Sequence, residues 1–270
     1  MHARIWSVTA QKGGVSKTTT AVNVSAAIAL LGKRVLLCDL DPQSNTTLHL
    51  GVDPAACAGK GMYEVMTRRV KTTDAIFKNC RENLDLLPSH LALAAAEIEL
   101  VPVIGREKVL STKLAEVRSA YDHIVIDCPP GVGLLVANAF AASDDILLTV
   151  QPEYFALYGI TLFNQLLDAV RETCNQALKI GGVLISMIDP RTRGQLAIHR
   201  DSARELEKTF GSLVFRTRIR MNARLKEAPS HGRTIFEHEK DCTGAIDYMA
   251  LAKEMTDVRE ENRAGLESVA

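Results

Sequence analysis

Several features that would commit a chain to a membrane or a disulfide framework are missing from these 270 residues. No apolar run approaches the roughly 20 residues that cross a bilayer. The six cysteines (Cys38, Cys57, Cys80, Cys128, Cys174 and Cys242) are widely spaced and form no C-x-x-C pair. They read as reduced thiols, and a cytoplasmic protein is expected. The N-terminus enters a strand-like run directly, without a charged and then apolar leader, so export is not expected. Neither sign of charge is in excess: Lys plus Arg number 32 and Asp plus Glu 32. Bulk charge therefore gives no hint of a polyanionic partner. Aromatic residues make up only 5 %. Internal repeats, low-complexity blocks and linkers are absent.

What is present is aliphatic. Apolar residues make up 47 % of the chain, a composition that suits Val/Ile/Leu strands covered by Ala- and Leu-rich helices. Strand-like runs are Ala3–Thr9, Arg34–Leu40, Leu84–Leu87, His123–Asp127, Asp145–Val150 and Val183–Met187, with Val214–Ile219 a weaker candidate. Helix-length stretches lie between them, near Leu91–Leu100, Arg106–Ser119, Leu134–Ala142, Ile160–Cys174, Gln195–Phe210 and Thr243–Arg259. The alternation predicts an α/β fold with a mainly parallel twisted sheet and helices on both faces. One domain is expected over 1–259, with a charged, poorly patterned tail over 260–270 that frays.

The most informative segment is Lys12-Gly13-Gly14-Val15-Ser16-Lys17-Thr18-Thr19. It joins the first strand to a helical run, the context of a phosphate-binding loop. Backbone N–H groups of such a loop converge on phosphate oxygens, and the helix N-terminus behind it favours negative charge. Lys17 is placed to reach the β- and γ-phosphates of a nucleotide, and the Thr18 hydroxyl to ligate Mg²⁺. An ordinary loop of this kind needs one lysine; this one has a second, Lys12.

Two acidic motifs point to the same place. Asp39-Leu40-Asp41-Pro42-Gln43 closes the second strand, and Ile124-Val125-Ile126-Asp127-Cys128-Pro129-Pro130 closes another. Ligands of open α/β sheets bind at the carboxyl ends of strands. A strand-ending Asp127 suits a metal that stays partly hydrated.

The loop resembles the deviant Walker A, K-G-G-x-x-K-[ST], of the ParA/MinD ATPases. Further stretches extend the likeness: Gln151-Pro152-Glu153-Tyr154-Phe155-Ala156-Leu157 is similar to a family segment, and Asn222–Gly232 (NARLKEAPSHG) to another. The similarity runs from about Ile5 to Ala252 and is strongest to the chromosomal and small-plasmid ParA group. It implies a P-loop fold, ATP hydrolysis and Mg²⁺. Residues 12–19, Asn222 and Pro229 would contact nucleotide, and Thr18, Asp39 and Asp127 would serve the metal. Lys12 would reach the ATP of a partner subunit in an ATP-dependent homodimer. Asp41 would orient the attacking water, so Lys12, Lys17 and Asp41 form the implied catalytic set.

The chain departs from the family pattern at two positions. Ser16 stands where glycine is usual, and a positive φ there carries a penalty of about 1 kcal/mol. Met221 stands where an arginine is common, flanked by Arg220. From Arg191 to Lys226 basic residues far outnumber the acids Asp201, Glu205 and Glu207. Arg200, Arg204 and Lys208 read as solvated helix charges. Arg191, Arg193, Arg218 and Arg220 are the preferred contacts for double-stranded DNA without base readout. The resemblance implies nucleoid association and a ParB-like adaptor in chromosome or plasmid segregation. It leaves open a positioning ATPase with a protein cargo, such as a carboxysome or chemotaxis cluster. A MinD-like membrane cycle needs an amphipathic C-terminal helix; Asp257–Ala270 fits that poorly, and no membrane partner is expected.

Overall fold

The apolar runs become strands that are buried on both faces. A computed structural model describes residues 2–10, 12–152, 160–188 and 195–267. Its strands are β1 (Arg4–Ala10), β2 (Val35–Asp39), β3 (Phe77–Arg81), β4 (Leu84–Leu87), β5 (His123–Asp127), β6 (Asp145–Val150) and β7 (Lys179–Ile185). They form one sheet in the order β3-β4-β2-β5-β1-β6-β7. All neighbours are parallel except the β3–β4 pair. The expected mainly parallel α/β sheet is therefore present.

Alternate residues of each central strand feed opposite cores. Ile5, Leu36, Cys38, Ile124 and Ile126 pack on one face, while Trp6, Val8, Val35, Leu37 and Val125 pack on the other. This is the period-2 consequence of strand geometry. Helices cover both faces. The first helix, Lys17–Leu30, is buried along most of its length. The last helix packs against it, and Thr20 and Tyr248 share a hydrogen bond of 3.1 Å. That arrangement places the N-terminus of the first helix at the carboxyl ends of β1, β2 and β5.

Several expectations need correction. Val214–Ile219 is not a continuous strand: it has an isolated parallel bridge at Val183↔Val214, the Phe215 and Ile219 N–H groups donate to Val183 and Ile185 of β7 at 2.9 and 3.0 Å, and a second bridge, Ile188↔Arg220, lies just beyond it. The backbone N–H groups of Arg216 and Thr217 donate instead to the Glu254 carboxylate, at 2.8 and 3.0 Å. A long-range side chain thus takes the Thr217 donor, which lies between the Phe215 and Ile219 donors that reach β7. Strand β3 was not foreseen: an exposed edge strand with positive φ at Asn79 lacks clean alternation. The Arg106–Ser119 stretch divides into a 3₁₀ turn, Arg106–Lys108, and a helix, Val109–Ala115. The last helix, Thr243–Glu267, continues past Arg259. Its added residues include good helix formers and no proline.

Candidate nucleotide site

The loop that follows β1 turns sharply before the first helix. Gly14 has φ +82 and Ser16 φ +60. The position before Lys17 therefore does require the left-handed conformation, and Ser16 carries the strain expected of a non-glycine residue there. The turn aims the side chains of Lys17 and Thr18 at the end of β5. Lys17 Nζ donates to Asp127 Oδ1 at 2.8 Å, and Thr18 Oγ1 donates to Asp127 Oδ2 at 2.8 Å. Lys17 also lies 3.8 Å from Asp41. Burial opposes the charge on Lys17, but Asp127 and its hydrogen bond outweigh it and hold the ammonium above the usual lysine range.

The parallel register of β2 on β5 sets Asp39 beside Asp127. Both are fully buried, and Asp41 is 5 % exposed. Asp39 Oδ2 accepts from the Thr47 backbone N–H at 2.9 Å and from Thr47 Oγ1 at 2.7 Å, and Asp39 Oδ1 accepts from the Asp41 N–H at 3.1 Å. Burial, followed by the nearby charge of Asp127, pushes Asp39 up to about 7 against these hydrogen bonds. Asp41 Oδ1 accepts the Gln43 N–H at 2.9 Å, which leaves the acid at the cavity edge.

A cavity of about 780 Å³ opens in front of the loop. Its wall includes Gly13, Gly14, Ser16, Lys17, Thr18, Thr19 and Asp41 on one side, and Asn222, Leu225, Pro229 and Ser230 on the other. Asn222 and Pro229 thus share one cavity with the loop. Asn222 is also the N-cap of Ala223–Glu227: its Oδ1 accepts the Arg224 N–H at 2.8 Å, and its amide donates to Thr243 at 2.7 Å. Val15 is buried beneath the loop and Lys12 is exposed; neither belongs to the cavity wall. Sequence reasoning missed Met187, which lines the wall at φ +60 just past β7, and Tyr248, which closes it from the last helix. It also missed the hydroxyls of Thr46 and Thr47. Their position just after D-x-D-P-Q was the signal available.

The DNA candidates divide. Arg191 and Arg193 lie outside the described residues, as does Glu153–Leu157 of the family-like segment after β6. Arg218 pairs with Glu207, and both side chains are substantially exposed. Arg220 donates to Asp247 through Nη2 and Nε along one guanidinium edge, at 2.6 and 3.0 Å, and its backbone N–H donates to the same carboxylate. Asp247 is nearly buried.

The donor set around Asp127 and Thr18 is hard oxygen. Among the described residues no group of three or more His, Cys, Asp or Glu converges. Such a set suits Mg²⁺, which keeps waters and takes phosphate oxygens rather than a full protein cage. Among the described residues no helix is long and apolar enough to cross a membrane.

Comparison with known proteins agrees with this geometry. A family described as an AAA domain matches residues 3–180. Sporulation initiation inhibitor protein Soj of Bacillus subtilis (strain 168) is 44 % identical, over 93 % of this chain and 98 % of its own length. The chromosome-partitioning ATPase Soj of Treponema pallidum (strain Nichols) is 40 % identical, over 91 % and 94 %. Cobyrinic acid a,c-diamide synthase from Mycobacterium smegmatis, solved with an ATP analog and magnesium, has 32 % identity and a TM-score of 0.82, covering 93 % of each chain.

Proposed function

The chain belongs to the Soj/ParA family of chromosome-partitioning ATPases, and from that premise we propose that it works as a nucleotide-switched dimer that carries a DNA cargo. As a member of that family it hydrolyses ATP with Mg²⁺ as cofactor. The observation that carries the reading is that Lys17 and Thr18, which line the shared cavity, converge on the buried Asp127.

On this reading Lys17 turns from Asp127 to the β- and γ-phosphates, and the amides of residues 13–19 cradle the triphosphate. Thr18 and Asp127 would hold Mg²⁺, with Asp39 behind them, and the ion when bound would supply positive charge against the phosphates. Asp41 orients the attacking water. Phosphoryl transfer leaves little covalent work for the protein, so positioning and charge stabilisation carry it. Lys12 acts on the partner subunit's triphosphate. Asn222 and Pro229 bound the side of the cavity opposite the loop.

The dimer would hold nucleoid DNA through Arg191, Arg193, Arg218 and Arg220. Arg218 is the better contact of the described pair, because its present partner is an exposed carboxylate. Arg220 is committed to Asp247 and shapes the surface more than it reaches from it. A ParB-like partner bound to the cargo would stimulate hydrolysis and release the dimer.

The test combines light scattering with filter binding of two unrelated duplexes, in ATP, in ADP and without nucleotide, over a range of salt. Dimerisation and DNA retention should both require ATP, with no preference between duplexes. Log affinity should fall with log salt at about −0.9 per phosphate neutralised. Asp41→Ala should dimerise, retain DNA and release phosphate at least about 100-fold more slowly. Equal DNA affinity in every nucleotide state would sink the DNA switch and point to a protein cargo.

A further inference from the structure

Asp127 is held by more than the phosphate-binding loop. Among the described residues three side chains donate to it: Lys17 to Oδ1, and Thr18 and Thr46 to Oδ2, each at 2.8 Å. Two of these donors are the groups that leave for phosphate and metal when Mg·ATP binds. Thr46 does not share that fate. It lies on the short helix Asn45–His49, is fully buried, and is absent from the cavity wall to which Asn45, Leu48 and His49 contribute. Nothing about a bound nucleotide draws its hydroxyl away.

The neighbouring residue repeats the arrangement on the other carboxylate. Thr47 donates to Asp39 Oδ2 through both its hydroxyl and its backbone N–H, and its Oγ1 accepts the Ser89 N–H at 2.9 Å. Asp39 and Asp127 stand opposite each other in the β2–β5 register. Adjacent residues on a helix project about 100° apart. One helical step thus sets one hydroxyl on each of two buried acids that would otherwise face each other with a single nearby lysine.

We propose that Thr46 is a positioning residue for the magnesium site: its hydroxyl keeps Asp127 oriented after Lys17 and Thr18 have turned to the nucleotide. The inference rests on the reading of Asp127 and Thr18 as the metal-facing pair. Groups that orient a metal-facing ligand typically change metal affinity by about 10- to 100-fold when removed.

The probe is Mn²⁺, titrated by electron paramagnetic resonance into the full-length protein with ADP. The variants are Thr46→Val, which keeps shape and loses the hydroxyl, and Thr46→Ser, which keeps the hydroxyl. ADP affinity in EDTA and the melting temperature are measured alongside, and Thr46→Ala replaces the valine variant if that one does not fold. Expected results are Mn²⁺ affinity reduced at least about 10-fold in Thr46→Val, restored in Thr46→Ser, with metal-free ADP affinity unchanged. Unchanged Mn²⁺ affinity in Thr46→Val overturns the inference. So does a serine variant as weak as valine, or a parallel loss of metal-free ADP affinity, which would make Thr46 a packing residue. If the unsubstituted protein shows no nucleotide-linked Mn²⁺ binding, the metal reading of Asp127 and Thr18 fails, and the inference falls with it.

Discussion

Both ends of the sheet carry aspartates, half-buried Asp144 and buried Asp145 at one end and buried Asp39, Asp41 and Asp127 at the other, and they hold them in opposite ways. At the amino ends of the strands each acid has its own arginine. Asp145 is 1 % exposed and accepts from Arg4 Nε at 2.5 Å, with Lys179 at 4.0 Å. Asp144 takes two bonds from Arg118, at 2.8 and 2.6 Å, and the Ile5 N–H at 2.8 Å. Arg4 in turn lies over the Trp6 ring at 4.9 Å. At the carboxyl ends, Asp41 and Asp127 share Lys17, Asp39 is held by Thr47 and the Asp41 N–H, and hydroxyls supply much of the satisfaction. Neutral donors orient a carboxylate without cancelling its charge. The first arrangement locks strands together; the second leaves negative charge available for an incoming cation. The position of a buried acid in the sheet therefore says less about its role than the kind of partner that satisfies it.

The largest expected effect separates these two designs. Lys17→Ala should lower affinity for a fluorescent ATP analogue by more than about 100-fold, because a cation facing two phosphates is lost. If the variant loses stability but binds the analogue as tightly as wild type, the carboxyl-end acids are structural like those at the other end. Arg4→Ala is the mirror experiment. It strips Asp145 of its close cation and should reduce stability in urea titrations by roughly 3 kcal/mol. Turnover measured below the melting transition should not change. A comparable loss of turnover would erase the distinction between the two ends.

The pH dependence sharpens the contrast further. The folded pKa of Asp39 is raised from 3.8 to about 7. Its contribution to stability is fully present below pH 4 and is lost as pH rises toward 7, where the unfolded chain would ionise it more readily. His49 acts in the opposite sense. Burial lowers it to about 4, so its contribution is present above about 6.5 and lost as pH falls through 4. The difference between wild type and Asp39→Asn isolates the acid. Wild-type stability relative to the variant should decline by up to a few kcal/mol between pH 4 and 7, read as melting temperature without nucleotide. A flat difference would mean that Asp39 stays ionised throughout. The smallest effect belongs to the loop itself. Ser16→Gly relieves about 1 kcal/mol of left-handed strain at φ +60, offset in part by glycine's greater freedom when unfolded. A melting point raised by a few degrees at most is expected; a lowered one would mean that the serine side chain contributes more than its backbone conformation costs.

The sequence by itself determined what depends on near neighbours. Apolar runs of strand length, separated by helix-length stretches, specify the layered sheet. His123–Asp127 and Asp145–Val150 are strands within the limits read from the order of apolar residues. The loop from Lys12 to Thr19 is legible because strand, glycine turn and helix start are consecutive, and Asp39, Asp41 and Asp127 are legible because each sits at or just beyond the end of an apolar run. Tertiary structure decided what depends on partners far along the chain. The register of β2 on β5 made Asp39 and Asp127 neighbours and turned two unremarked threonines toward them. Glu254 took the backbone donor of Thr217, between the Phe215 and Ile219 donors that reach β7, and so interrupted a further strand. Asp247 claimed Arg220, which in the sequence is one more member of a basic stretch. Local spacing reports the period and chemistry of a segment. It cannot report which distant group will satisfy a buried polar atom, because that choice is made only when the layers pack and every desolvated donor and acceptor must find a partner.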